Sequence, residues 1–308
     1  MSFLITPLPA SPALEEHVVQ RESIWATRKV ALIDVEGVIT NARSNTLLGG
    51  IVENPVVSFK EKLDKAARDE HIAAVVLRIN SPGGGVTATD LMYEELLRFR
   101  KATGRPVIAC LLDMAASGGY YLACGADRII AHPTTVTGSI GVIMMTPDVS
   151  GAMAKLGIEA NVIKSGAMKD SGSPFRPMTD ADRGVFQSII NQMYERFVGV
   201  VATGRPKLAP ESLRSLADGR VFLAPEAKAS GLVDEIGTLN DAIFAAKSAA
   251  GLADKAVLVV EYARSMDYRP NIYAHAAPGA PAVIQVALPD WLANPGPEFQ
   301  YLWAPGWE

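Results

Sequence analysis

The sequence predicts an α/β fold in which buried parallel strands alternate with helices. The apolar runs KVALIDVEGVI (29–39) and AAVVLRI (73–79) are continuous enough for strands that are covered on both faces. Between them, residues 55–68 place apolar side chains at helical spacing. Strands and helices that alternate in this way form a sheet through right-handed crossovers, with the strands parallel.

The first half of the chain continues this alternation. In the helix over 55–68, Phe59, Leu63 and Ala67 lie on one face. The elements predicted after the strand over 73–79 are an amphipathic helix over 89–101, a strand over 106–112, a short helix that begins near Tyr120 and a strand over 127–132.

The second half is predicted to be mostly helical. Thr179 is a suitable N-cap for a helix that continues to Thr203, with apolar residues at every fourth position. Residues 217–237 predict a short strand and a helix separated by turn glycines, and residues 256–263 predict a last strand.

These elements divide the chain into three parts. Residues 1–28 form an N-terminal extension, residues 29–263 form the folded domain, and residues 264–308 form an irregular C-terminal tail rich in proline and aromatic residues. Such a tail is expected to strap its own core, to dock on a neighbouring subunit or to occupy a substrate groove as an extended peptide. We favour packing on the core.

Composition excludes some classes of protein. The formal net charge of −4 and the lack of a basic run argue against nucleic acid as a partner. The 49% hydrophobic content of the 308 residues indicates a large core or apolar surface buried between subunits. Cys110 and Cys124 lie in apolar surroundings and are predicted to be buried free thiols. The sequence contains no apolar run of about 18 residues, the length that a membrane-spanning helix needs. Its N-terminus lacks the basic start of a signal peptide.

The segment SPGGG (81–85) follows the second predicted strand. Pro82 disfavours a helical conformation at Ser81, and three glycines allow the backbone to approach another group closely. The segment is therefore either a tight strand-to-helix loop or an oxyanion hole built from backbone N–H groups. It is not a phosphate loop, because no Gly-Lys-Ser/Thr follows.

Ser117 stands where a strand turns into a helix. Gly118 and Gly119 permit a sharp change of direction, and amide groups at a helix start favour negative charge. Ser117 is thus either a helix-capping serine or an exposed nucleophile. Because position 115 is alanine, the segment departs from the GxSxG pattern of the α/β-hydrolases.

The base that would activate Ser117 is predicted to be a lysine. None of the four histidines lies in surroundings that suggest catalysis. Lys169 lies in a loop between Gly166 and Gly172. A lysine acts as a base only when it is neutral, so such a site must bury the amine and keep carboxylates away from it. We therefore expect Lys169 to be buried and Asp170 to point elsewhere; the alternative is a solvated loop lysine.

A second serine lies between these two residues in the chain. The segment VTGSIGVI (136–143) places Ser139 between two glycines, where its hydroxyl could hold a neutral amine in position. The alternative is a plain turn.

Taken together, these segments resemble the signal peptide peptidase A family, which are Ser/Lys-dyad serine proteases. RINSPGG, ASGGYY, TGSIGV, SGAMKD and the segment ADGRV…GLVDEIG occur in the order and at the separations found in that family, and the resemblance covers about residues 29–250. It implies a Clp/crotonase-like spiral of ββα units for the protease domain over 29–263.

The resemblance also implies roles for individual residues. Ser117 would be the nucleophile, Lys169 the general base and Ser139 the residue that positions the lysine. The N–H groups of Gly84 and Gly118 would form the oxyanion hole, with Gly83 in place of Gly84 if the loop is shifted by one residue. No metal or cofactor is implied.

Short bacterial members of this family form ring-shaped homo-oligomers, octamers in which a neighbouring protomer supplies the lysine. We therefore expect Ser117 and Lys169 to meet across a subunit interface. Family members usually carry an N-terminal membrane anchor, which this sequence lacks. We expect a cytoplasmic protein, one at the membrane periphery, or a chain that begins after an anchor.

The predicted function is endopeptidase cleavage of peptides, such as remnant signal peptides or other short apolar or unfolded peptides, with small or apolar side chains at the cleavage position. Three alternatives remain open. They are a Clp-class protease that acts on a stomatin-like membrane partner, a crotonase-type acyl-CoA enzyme, and a scaffold subunit without activity.

Overall fold

A computed structural model describes residues 14–41, 44–45, 51–264, 272 and 298–303. The strands within these ranges are β1 Leu14–Arg21, β2 Arg28–Ile39, β3 Ser44–Asn45, β4 Ile51–Val52, β5 Ile72–Gly85, β6 Val107–Ala116, β7 Arg128–Ala131, β8 Val136–Gly138, β9 Ile143–Met145, β10 Val221–Leu223, β11 Glu235–Ile236, β12 Val257–Arg264 and β13 Glu298–Leu302. The helices are α1 Pro55–Arg68, α2 Val86–Thr103, α3 Gly118–Ala123, α4 Ser150–Lys155, α5 Asp180–Gly204, α6 Pro210–Leu216, α7 Ala224–Ala229 and α8 Leu239–Ala249.

One large sheet organises the described part of the chain. Its main path runs β1-β12-β2-β5-β6-β7-β11, and every pair on this path except β1–β12 is parallel. This confirms the α/β class. The Clp/crotonase-like spiral stays a prediction.

The sheet is covered on both faces because its central strands contain continuous apolar runs, such as residues 72–77 of β5. Along β5, Val75, Leu77 and Ile79 join a core cluster with helices α1, α2, α3 and α5, whereas Ala74 and Val76 join a second cluster with α8. Successive side chains of a strand point to opposite faces, so an unbroken apolar run supplies two cores. Cys110 and Cys124 are buried free thiols, as predicted, and burial raises the pKa of each to about 12.

The predicted elements agree with the structure at most boundaries. Helix α1 spans the predicted residues, and Thr179 caps α5 in a capping box with Asp182. The segment 81–85 differs from the expected loop, because it prolongs β5 and pairs with β2 on one side and β13 on the other.

Two strands lie outside the predicted domain over 29–263. β1 lies within the predicted extension but pairs antiparallel with β12, so it closes one edge of the sheet. Residues 298–302 lie within the predicted irregular tail but form β13. Their main chain becomes a strand because partners lie on both sides, β5 and β9. The aromatic residues Trp291 and Trp307 of the tail lie outside the described residues.

Candidate active site

Ser117 occupies the single residue between β6 and α3. Its backbone has φ 51° and ψ −113°, a backbone conformation that residues other than glycine rarely adopt. The residue is 1% exposed. Backbone strain of this kind persists only where the surrounding structure holds it, and it is concentrated at functional sites.

The backbone of Ser117 makes hydrogen bonds through both its N–H and its carbonyl, whereas its side-chain hydroxyl makes none within the described residues. Its N–H donates to the Gly138 carbonyl at 2.8 Å, and its carbonyl accepts from the Tyr121 N–H at 2.8 Å. The side chain does not cap α3, and within the described residues the hydroxyl makes no hydrogen bond. Ser117 therefore occupies the N-cap position of α3 without the side-chain hydrogen bond of a capping serine, and it is buried rather than exposed as the sequence predicts.

Ser139 lies beside Ser117 at the ends of neighbouring strands. β6 and β8 are parallel, and Ala116 pairs with Gly138, so the next residue of each strand is one of the two serines. Ser139 also has a positive φ of 51° and is buried, and its N–H donates to the Arg220 carbonyl at 2.8 Å. The structure thus brings together two serines that are far apart in sequence.

The glycine segment of β5 faces the start of α3. A Cβ atom on Gly83 would lie 2.6 Å from the Gly118 nitrogen, and one on Gly118 would lie 3.1 Å from the Gly83 Cα. A Cβ on Gly84 would lie 2.0 Å from the Ile39 carbonyl oxygen. Contacts this short exclude any side chain. Backbone amides of the segment and of α3 therefore meet next to Ser117.

Within the single chain, Lys169 does not lie beside Ser117 and the glycine segment. It is exposed, and its described contacts are limited to a backbone hydrogen bond to Gly166. The expected burial of Lys169 is thus not found in one isolated chain. Asp170 points elsewhere, as expected: its carboxylate accepts from Lys164 at 2.6 Å and from Arg176 at 2.9 Å.

An ionic network holds the end of the Lys169 loop against α5. Arg176 donates to both Asp170 and Asp182, and Asp182 also accepts from Ser171 at 2.7 Å and from the Thr179 N–H at 3.0 Å. The hydrogen bonds from Arg176 lower the pKa of both carboxyl groups well below their usual range.

The structure adds an aromatic pocket that the sequence patterns did not show. The Tyr301 ring is fully buried, stacked on Tyr121 with centroids 5.2 Å apart and tilted against Phe197 at 4.8 Å. The Tyr121 hydroxyl donates to Asp90. The tyrosines of α3 and the aromatic tail indicate an apolar wall in the sequence, but only the structure shows that Phe197 of α5 and Tyr301 of β13 pack there with Tyr121.

Thr89 is a second residue that the sequence patterns missed. Its hydroxyl is buried, lies 2.7 Å from where a Gly118 Cβ would be, and has no hydrogen-bond partner within the described residues. A buried hydroxyl without a partner beside the helix start adds an unsatisfied polar atom to the wall of the site.

Comparison with known proteins identifies a family for this chain. The model of peptidase family S49 matches residues 99–253, half of the chain. A protein of Enterococcus faecium, named provisionally as a signal peptide peptidase SppA, is 36% identical over 237 residues, which are 77% of this chain and 67% of that protein. Protease 4 of Haemophilus influenzae is 36% identical over 215 residues, 70% of this chain but 34% of that protein.

A plant protein extends the comparison. The chloroplastic serine protease SPPA of Arabidopsis thaliana is 32% identical over 248 residues, 79% of this chain and 36% of that protein. The chain therefore spans about a third of the two longer relatives. The α/β sheet and these matches define the class of protein as a serine protease. The chain belongs to peptidase family S49, the family of the signal peptide peptidase A proteins.

Proposed function

We propose that the chain is an endopeptidase that uses Ser117 as its nucleophile and Lys169 as its general base. The observation that carries the proposal is the strained, buried Ser117, whose backbone is fixed while its hydroxyl stays uncommitted. A nucleophile needs a fixed position and a free hydroxyl, and both are present. Ser139 lies on the neighbouring strand, where its hydroxyl would position the lysine amine.

The oxyanion hole is proposed to be formed by backbone N–H groups of Gly84 and Gly118. Close contact between the glycine segment and the start of α3 supports this assignment, because a side chain on Gly83 would meet the Gly118 nitrogen. Backbone donors fixed before the reaction stabilise a tetrahedral oxyanion without reorganisation.

Lys169 is proposed to act on Ser117 of a neighbouring protomer. Helix α4 has no buried residue in the single chain, and the segment that follows it exposes Leu156, Ile163 and Phe175, by 73%, 102% and 51%. Apolar side chains exposed in one segment mark an interaction surface, and a second copy of the chain is the proposed partner that buries them. Burial there would also desolvate the lysine, which a neutral base requires.

The proposed reaction is hydrolysis of a peptide bond through an acyl-enzyme. Lys169 takes the proton of the Ser117 hydroxyl as its oxygen attacks the carbonyl carbon, and then gives that proton to the leaving amine. Water, deprotonated by the same lysine, releases the acyl group. Remnant signal peptides or other short apolar or unfolded peptides are the proposed substrates, in keeping with the name of the Enterococcus relative.

Labelling of the assembled protein with a fluorophosphonate tests the nucleophile. We expect the reagent to modify Ser117 in the wild type and in Ser188→Ala, which removes an exposed serine of α5, but not in Ser117→Ala. Labelling of Ser117→Ala at the wild-type level would overturn the assignment.

Mixed assemblies test where the lysine comes from. Ser117→Ala and Lys169→Ala subunits are each expected to be inactive when assembled alone. When they are mixed in equal amounts and reassembled, about a quarter of head-to-tail contacts would pair an intact serine with an intact lysine, so about that share of activity should return. If activity never returns, the two residues do not meet between protomers.

A further inference from the structure

The hydroxyl of Thr89 differs from the other threonine hydroxyls of the long helices. A threonine inside a helix commonly donates its hydroxyl hydrogen to the carbonyl four residues earlier. Thr103 of the same helix donates to the Phe99 carbonyl at 2.8 Å, and Thr203 of α5 donates to the Gly199 carbonyl at 2.9 Å. Thr89 is the fourth residue of α2 and fully buried, yet its hydroxyl makes no hydrogen bond within the described residues.

The buried threonines of the neighbouring strand region do have partners. The Thr135 hydroxyl donates to the Leu111 carbonyl at 2.9 Å, and the Thr137 hydroxyl donates to the Ala115 carbonyl at 2.6 Å. A buried hydroxyl without a partner destabilises a fold, because the hydrogen bonds that it makes with water in the unfolded chain are lost. The Thr89 hydroxyl therefore has a donor available for a group that comes from outside the chain.

The Thr89 hydroxyl oxygen lies against the first residue of α3. It is 2.7 Å from the place that a Cβ atom on Gly118 would take, and the Gly83 Cα is 3.1 Å from the same place. The third atom around this place is the Tyr301 carbonyl oxygen, at 3.2 Å, so an acceptor oxygen has room here. The hydroxyl thus adjoins the space between the glycine segment of β5 and the start of α3.

The position of Thr89 in α2 also brings it close to the second proposed donor. Helix α2 begins at Val86, directly after Gly85, and residues four apart in a helix lie one above the other. Thr89 is therefore one turn above the end of the segment that contains Gly84. Its hydroxyl lies between the two residues, Gly84 and Gly118, whose N–H groups are proposed to form the oxyanion hole.

We propose that the Thr89 hydroxyl is a third donor of the oxyanion hole, which forms a hydrogen bond to the negatively charged oxygen of the tetrahedral intermediate. This inference rests on the proposed function and adds a catalytic residue to it. No proton is transferred, because the hydroxyl keeps its hydrogen while charge develops on the substrate oxygen and while the carbonyl re-forms. A donor without a partner before the reaction gives up no hydrogen bond to stabilise the transition state, so its effect belongs to kcat.

The first test replaces Thr89 in the assembled full chain. Thr89→Val keeps the shape of the side chain and removes the donor, so kcat on a quenched fluorescent peptide of alanine and leucine residues should fall about 10- to 100-fold, with KM within about threefold. The urea midpoint of unfolding should be unchanged or higher, because no hydroxyl is then buried without a partner. Thr89→Ser keeps the hydroxyl and should retain kcat within about threefold.

Thr103→Val is the matched control in the same helix. It removes the hydrogen bond to the Phe99 carbonyl and the one accepted from the Arg105 N–H, so it should lower the urea midpoint and leave kcat unchanged. Thr89→Val and Thr103→Val should therefore have opposite effects on activity and stability. If Thr89→Val loses stability and activity together and Thr89→Ser does not restore them, Thr89 is a packing residue and the proposal is wrong.

A transition-state analogue gives a second readout. A boronic acid that replaces the scissile carbonyl of the same peptide forms a tetrahedral adduct with a nucleophilic serine and places an oxygen in the oxyanion hole. Thr89→Val should bind this peptide boronate about tenfold more weakly and the matching peptide carboxamide with unchanged affinity. An equal loss of affinity for both compounds would contradict a role in the transition state.

The outcomes separate this inference from the proposed function. If Thr89→Val keeps the wild-type kcat while Ser117→Ala has no activity, the Ser117 chemistry stands and Thr89 is not a donor. If Ser117→Ala cleaves the peptide at the wild-type rate, the proposed nucleophile is wrong, and the assignment of Thr89 fails with it.

Discussion

At the scale of single residues, the site depends on positions where no side chain fits. Gly83 has φ +99°, and a Cβ there would lie 1.9 Å from the Tyr301 carbonyl oxygen. At Gly84 the obstacle is the backbone of Ile39. Main-chain atoms cannot rotate away as a side chain can, so both glycines are fixed by the neighbouring backbone. Gly85 differs, since its Cβ would meet nothing closer than 3.9 Å.

This contrast gives a matched pair of substitutions. Gly84→Ala should displace the segment from the start of α3 and lower kcat by at least about 10²-fold, the usual cost of losing an oxyanion donor. Gly85→Ala should stay within about threefold of the wild type, since a methyl group there meets no close contact. Steady-state peptide assays measure the difference, and circular dichroism confirms folding. Similar activities for the two variants would contradict the assignment of Gly84.

At the scale of elements, the Lys169 loop is positioned by its attachment to α5. Asp182 makes two sets of contacts. It forms the capping box of α5 with Thr179, and it accepts hydrogen bonds from Arg176. Through Arg176 it also joins Asp170, the neighbour of Lys169. The start of one helix therefore orients the loop that carries the proposed base.

Arg176→Met should release this loop. Without the guanidinium, hydrogen exchange over residues 165–176 should accelerate, and turnover should fall about 10- to 100-fold because the base is misplaced. Arg183→Met removes an exposed arginine of α5 that makes no described side-chain contact and serves as the control. Equal exchange in the two variants would show that the network does not order the loop.

The same network has a defined pH dependence. The pKa values of Asp170 and Asp182 are lowered in the folded chain, so their stabilising contribution is complete above about pH 4 and is lost as the pH falls below it. The free energy of unfolding should therefore fall more steeply below pH 4 in the wild type than in Arg176→Met, as urea titrations would measure. Parallel curves would contradict the assignment.

At the scale of the whole molecule, one chain leaves the proposed site incomplete. Ser117, Ser139 and the glycine segment meet, but Lys169 lies on an exposed segment with apolar side chains around it. The first half of α5 is similarly open, since Val185 is 44% exposed despite its place in the predicted apolar stripe. Among the described helices, none has the length and hydrophobicity of a membrane span.

A charge placed in the exposed apolar segment should disrupt assembly. Ile163→Asp is expected to reduce the molar mass measured by light scattering and to lower activity in parallel, because burying an unpaired carboxylate at an interface is unfavourable. Ile24→Asp makes the same change at an isoleucine that is 75% exposed outside the segment and should leave both unchanged. A wild type that stays monomeric would refute the shared site.

Much of the fold could be predicted because its signals are local. The strand over 29–39, helix α1 and the Thr179 cap depend on apolar runs and capping residues within a few positions. The strands β1 and β13 could not be predicted, because β1 is largely polar and β13 is short and stands among prolines, and each becomes a strand through a partner distant in sequence. For the site, the segments around Ser117, Ser139 and Gly84 were found as motifs, but the pocket around Tyr301 was not.

By itself, the sequence determined the α/β class, the buried strands and the segments that carry the candidate chemistry, since each depends on residue types that are close together in the chain. Only the tertiary structure decided that Ser117 is strained and makes no side-chain cap, that Ser139 lies beside it, and that β13 pairs with the glycine segment of β5. These are consequences of strand register and backbone contact between distant segments, and the energies that fix them arise only when the sheet has formed.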